Sequence, residues 1–190
     1  MGTSRNDPSP STPFWKPALA ILARRDVSVD RQVVEIWRSA AHDRGPALFE
    51  NLADPSIARA YSIAIEGWSV ERALAEFDQA TVHVSKPGLM VDIARRALAR
   101  CAARREGAFA FPTELFEEAT SYYVSRDLPS LLAAQGRIET TSEAIRFKNA
   151  VRSVVKERVR SMSKPKPTAS DWRRYVAMVL DSLQRKEDVK

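Results

Sequence analysis

Lys148, Arg152, Lys156 and Arg160 follow one another at four-residue intervals, and Arg146, Arg158, Lys164 and Lys166 lie beside them. On a helix this spacing puts the four cations in a single track, predicted to face solvent opposite a Phe147/Val151/Val155 seam. Four residues rise about 6 Å along a helix, comparable to the step between successive phosphates of a nucleic acid strand, so the track can meet three or four backbone phosphates. A solvated helix face ordinarily alternates acid with base. This one has Glu157 alone, and like charges at i, i+4 destabilise a helix without return. The chemistry that such a row suits is the gripping of a polyanion.

Arg96, Arg100 and Arg104 repeat the spacing upstream, with Arg95 and Arg105 beside them and Asp92 as the one acid in the row. Two uses are open for them: a second nucleic-acid surface, or ion pairs to the Glu114/Glu117/Glu118 segment of this chain or of a neighbouring copy. Trp172, Tyr175, Tyr122 and Tyr123 have the ring chemistry to stack on bases. Trp172 and Tyr175, however, fall on an apolar seam, which predicts core packing. Two short helices flank Gly67-Trp68-Ser69 as in a helix-turn-helix, but the second carries Glu71, Glu76 and Asp78 against Arg72 and would repel phosphate. His42 and His83 are isolated, no nucleophile elbow or HExxH occurs, and six glycines make no phosphate-cradling loop. Glu117 and Glu118 read as helix-start charges. The chain is therefore expected to be non-catalytic, with no cofactor and no metal.

The charge that supports a polyanion partner is unevenly placed. Residues 1–136 hold 16 Lys+Arg against 17 Asp+Glu, whereas residues 137–190 hold 14 against 7, so the whole excess of +6 lies at the C-terminal end. Between Arg146 and Arg174 there are ten basic residues and two acidic ones, Glu157 and Asp171. Arginine outnumbers lysine 22 to 8, which favours forked phosphate contacts. The 190 residues, 44% hydrophobic and 28% charged, suffice for one core or two small helical lobes. A single cysteine, Cys101, excludes an intrachain disulfide and suits a reducing cytoplasm. The longest apolar run, Pro17 to Ala23, is far short of the roughly 20 residues of a membrane span.

The elements that must position these side chains read as helical nearly throughout, an all-α bundle of about eight to ten short helices in one body or two lobes. Residues 1–12, with Pro8 and Pro10, read as a flexible tail; residues 13–136 form an N-terminal helical lobe and residues 137–190 a basic C-terminal one. Apolar spacing predicts helices over Phe14–Arg25 and, through Val33, Val34, Trp37 and Ala41, over Asp30–His42. Asp54-Pro55 opens a helix closing at Gly67, and Ser69 starts another. Leu89 to Arg105 is predicted amphipathic with Cys101 on its buried stripe, ended by Gly107. Thr113 is expected to cap a helix carrying Glu114, Glu117 and Glu118, and Thr140 with Glu143 makes a capping box. After a stiff Lys164-Pro-Lys-Pro-Thr168 linker, Ser170 is expected to cap the last helix, with Trp172, Tyr175, Val176, Val179, Leu180 and Leu183 inward. Only Thr81–Ser85 and Ala108–Phe111 look strand-like.

A small, basic, nearly all-helical chain with a Pro13-Phe14-Trp15-Lys16-Pro17 start and basic tracks at Arg96/Arg100/Arg104 and Lys148/Arg152/Lys156/Arg160 resembles the small subunit of multisubunit CRISPR effector complexes. The likeness covers the chain plan from Phe14 to Gln184. It implies a helical protein that sits in several copies along larger protein subunits of an antiviral ribonucleoprotein and holds RNA or a single DNA strand by its phosphates. The rival expectations are an adaptor that docks on an acidic protein and a helical DNA-binding regulator.

Overall fold

Asp54 begins a helix by the chemistry its position offers. Its carboxylate accepts the Ser56 amide at 2.8 Å, and Pro55 fills the first helical position, where no amide hydrogen is needed. In this computed structural model, which describes residues 31, 32, 35, 50–82, 89–106, 110–122 and 140–184, that helix (α1) spans Pro55–Glu66. It stops on Gly67 in the left-handed conformation, φ 65°. The Ser69 side chain caps α2 (Val70–Thr81) through the Arg72 amide. Then follow α3 (Leu89–Arg104), α4 (residues 110–122), α5 (Thr141–Ser161) and α6 (Ala169–Gln184), with a 3-10 turn at Glu50–Ala53 ahead of α1. The reciprocal Thr140/Glu143 box opens α5 as its sequence predicts.

Among the described residues all regular structure is helical. Of the described parts of the two strand-like pieces, Thr81, Ala110 and Phe111 are helical and Val82 is the turn residue that ends α2. None of the described helices is long and apolar enough to cross a membrane. The tail, the two helices expected before residue 43 apart from helical residues 31, 32 and 35, and the boundary at 136/137 lie outside the described residues.

Three helix ends differ from expectation, each for a local reason. α4 has begun by Ala110, because Pro112 is tolerated in a first turn; Thr113 is thus inside the helix and does not cap it. α6 is capped by Thr168 in place of Ser170: its hydroxyl accepts the Asp171 amide at 3.2 Å and donates to Asp171 Oδ2 at 2.8 Å. α3 closes before Gly107 on Arg105, left-handed at φ 55°. The Arg105 amide returns to the Ala102 carbonyl and the Glu106 amide to that of Cys101, at 3.2 and 3.3 Å. These are the two bonds of a Schellman end, here without the glycine that it favours.

The core centres on Trp172, fully buried, whose indole N–H donates to the Leu52 carbonyl at 2.7 Å across 120 residues of chain. An unpaired indole there would cost roughly 1–3 kcal/mol. Its ring centroid lies 5.3 Å from Tyr61, 5.7 Å from Tyr175 and 6.1 Å from Phe111, so α1, α4 and α6 share one aromatic junction. Ala60, Ala64, Ala94 and Ala97 let α1 and α3 approach closely beneath it. The same buried cluster takes in Ile57, Phe77, Cys101, Val155, Val159 and Leu183, and so joins residues on both sides of position 137. Past α5, the linker is held on α1 where Tyr61 donates to the Pro165 carbonyl at 3.0 Å and Ser62 to that of Pro167 at 3.2 Å.

Two measurements check this frame. Arg105→Gly relieves a left-handed side chain and should raise stability by about 1 kcal/mol, a Tm increase of a few degrees; a lower Tm would mean that the arginine is not strained. Burial holds the Cys101 thiol protonated up to about 12, against an ordinary 9.0. An acid whose folded pKa is raised loses its stabilising contribution as pH climbs through that window, so urea midpoints should fall above pH 9. The loss approaches about 1.4 kcal/mol per pH unit for each such group. Tyr61 and Tyr175, also raised by burial, steepen the fall above their ordinary 10.0. Cys101→Ala should flatten it between pH 9 and 10, and an unchanged slope in that variant would contradict the buried thiol.

Candidate nucleic-acid interface

Glu114, Glu117 and Glu118 stand one turn or one residue apart on α4, and the packing of that helix leaves Glu114 only 7% and Glu117 only 6% exposed. Carboxylates so placed need cations or donors. They take them from both flanking helices. From α3, Arg104 Nη1 reaches Glu114 Oε1 at 2.7 Å, while Arg100 bonds Glu118 and approaches Glu114 Oε2 at 3.9 Å. From α5, Arg152 Nη2 meets Glu117 Oε1 at 3.3 Å and Lys156 Nζ meets Glu117 Oε2 at 3.2 Å.

The expected solvent-facing track is corrected by this arrangement. Each cation of the row follows a residue of the Phe147/Val151/Val155/Val159 seam by one position, about 100° around the helix, so the row borders the seam and does not oppose it. Lys148, Arg152 and Lys156 are accordingly half-buried on the shoulder of the apolar seam, and of the four Arg160 alone is exposed. Arg152 and Lys156 are not uncompensated, because their acidic partner comes from α4 and not from α5. At Arg100 and Arg104 the same-chain ion pairs are the use the structure makes of the α3 row; Arg96 is exposed, with no ion pair among the described residues. Two of the three acids of α2 are engaged too. Arg95 grips Asp78 with two bonds of 2.8 and 2.9 Å, which holds that carboxyl below the usual range, and Arg59 reaches Glu76 at 2.6 Å.

What remains is a smaller set. Arg146, Lys148, Arg160, Lys164, Lys166 and Arg173 have no carboxylate partner among the described residues. Arg160 and Lys164 meet in a cleft of about 360 Å³ between the end of α3, the start of α4 and the end of α5, with Glu106, Thr113 and Glu114 on its other walls. Lys164 Nζ donates to the Val159 carbonyl at 3.2 Å. Its pKa is lowered by burial first and by the Arg160 charge second. No protein family, curated protein or solved structure matches this chain.

Trp172 and Tyr175 are core residues, 0% and 2% exposed, and present no face to a base. Tyr122 is half-buried. Tyr123, His42 and His83 lie outside the described residues. Among those described, no three His, Cys, Asp or Glu side chains converge as metal ligands would. A second cleft, of about 300 Å³, opens between α1, α2 and α3 beside Trp68, which carries the Arg72 guanidinium 4.3 Å from its ring centre; its lining is mainly apolar.

Glu117 is the shared anchor of Arg152 and Lys156, so Glu117→Gln should lower stability by about 1–2 kcal/mol, less than a fully buried pair because both cations are about a third exposed. A double-mutant cycle with Arg152→Gln in urea should show a coupling of about 1 kcal/mol. Strict additivity of the two changes would mean that the pair contributes nothing.

Proposed function

We propose that this chain is a non-catalytic, sequence-independent nucleic-acid-binding subunit of a cytoplasmic ribonucleoprotein, with its phosphate contacts at the C-terminal end of α5. The observation that carries this is the set of cations left without carboxylates after the ion pairs of α4 are formed, above all Arg160, Lys164 and Lys166. The linker bonds to α1 fix the backbone from which Lys164 and Lys166 project, so little ordering entropy opposes a contact there. Arg146, Lys148 and Arg173 extend the basic surface, and Arg96 supplies a cation on α3. The small-subunit role in a CRISPR-type complex is supported by the resemblance in chain plan, with several copies and larger protein partners following from it.

The adaptor alternative is disfavoured in one of its forms. Glu114, Glu117 and Glu118, the acidic surface that a second copy would dock on, are already met by Arg100, Arg104, Arg152 and Lys156 of the same chain.

Salt dependence separates the contacts. Four phosphate contacts on a single strand correspond to a slope of log K against log salt of roughly −3, whereas Arg160, Lys164 and Lys166 alone give about −2. Fluorescence anisotropy with labelled single-stranded RNA or DNA should return the smaller slope, and alanine at those three should bring it close to zero. Arg152→Ala and Lys156→Ala should lower stability and leave the slope in place. A slope that responds to Arg152 and Lys156 but not to Arg160 would overturn the assignment.

A further inference from the structure

Arg105 holds a backbone conformation that glycine would take without strain. It follows the last residue of α3 at φ 55°, is exposed, and has no carboxylate partner among the described residues. The same residue lines the cleft of about 300 Å³ between α1, α2 and α3. A strained arginine kept where glycine is the better helix end points to a side chain that is in use.

The rest of the cleft shows what that guanidinium is set against. Ile63, Ala73, Leu98 and Cys101 bring core surface into the lining, and Trp68 stands half-buried beside them. Arg72 lies 4.3 Å from the Trp68 ring centre and, like Arg105, has no ion pair among the described residues. The neighbouring arginines are taken: Arg59 by Glu76, Arg95 by Asp78, Arg100 by Glu118 and Arg104 by Glu114. No acid lines this cleft. Glu106 lines the other one, and Glu66 and Glu71 are exposed outside it.

An apolar concavity with a tryptophan and two free guanidinium groups has the composition of an interface anchor, since Trp and Arg carry much of the energy of protein contacts. Its charge asks for a carboxylate. A nucleobase is the poorer match, because its edge carries several donors and acceptors. The polar side chains of the lining are Arg105, the Cys101 thiol and Ser69, whose hydroxyl already accepts the Arg72 amide. A base seated there would leave polar atoms unpaired.

We propose that this cleft is a protein-docking site, which takes one large apolar side chain of a partner while a carboxylate adjacent to it in the partner's sequence pairs with Arg105 and Arg72. The proposal stands independently of strand binding.

The test uses the full chain labelled with 5-fluorotryptophan, with the Trp68 fluorine resonance assigned by its loss in Trp68→Phe. The probes are short blocked peptides with a phenylalanine flanked by glutamates, an alanine flanked by glutamates, or a phenylalanine flanked by lysines. The first should shift the Trp68 resonance and bind about tenfold more tightly than the second and about threefold more tightly than the third. Arg105→Gly, which relieves the strain, should raise Tm yet remove the preference for glutamate, a loss that a purely structural arginine would not produce. Arg105→Glu should reverse that preference, and Ala102→Phe, which fills the cleft from its half-buried wall, should abolish the preference for phenylalanine. Equal affinities for the three peptides, or no shift at Trp68 with any of them at millimolar concentration, would overturn the proposal. So would single-stranded RNA shifting the Trp68 resonance where the peptides do not, which would give the cleft to a base. Peptide binding with no binding of RNA anywhere on the chain would keep the docking site and remove the function proposed above.

Discussion

Three carboxylates on α4 decide how the cations of this protein are divided. Glu114 and Glu117 are carried nearly out of water by the packing of α4, which also buries Phe111, Leu115, Phe116 and Ala119. A carboxylate in that position is tolerable only with a cation in contact. Two come from α3 and two from α5, so one acidic face links two otherwise separate helices. The link is modest in energy, since each cation keeps a third or more of its side chain in solvent. Its larger effect is on allocation: a guanidinium held by Glu117 is not available to a phosphate without giving up that bond.

The distinction between legible and illegible features follows sequence separation. Asp54, Gly67, Ser69 and the Thr140/Glu143 box act on neighbours two to four residues away, and each cap forms as the residues alone indicate. The inward faces of α3, α5 and α6 were equally readable, because helical spacing of apolar residues is also a local property. Where local signals compete, the outcome shifts by a turn: Pro112 allowed α4 to start before Thr113, and Thr168 captured the cap that Ser170 also offered.

The charge row failed for a different reason. Spacing within one helix shows only that α5 lacks acids of its own, and the partner of Arg152 stands 35 residues upstream. The Trp172 bond to Leu52, across 120 residues, is illegible in the same way: a buried indole announces that it needs an acceptor but not which one. A residue one position after each seam residue lies about 100° away, which places Lys148, Arg152 and Lys156 beside the seam and within reach of α4.

A purely structural account of Arg160 and Lys164 begins with the helix they end. Cations in the last turn of α5 oppose its dipole, and Lys164 hydrogen-bonds the Val159 carbonyl, a C-terminal capping contact worth a few tenths of a kcal/mol to about 1 kcal/mol. That explains one ammonium. It leaves unexplained why Arg160 is brought beside it, close enough to lower the Lys164 pKa, when a single cation would satisfy the helix end. Two like charges brought to one cleft repel each other, and an anion seated between them relieves that repulsion.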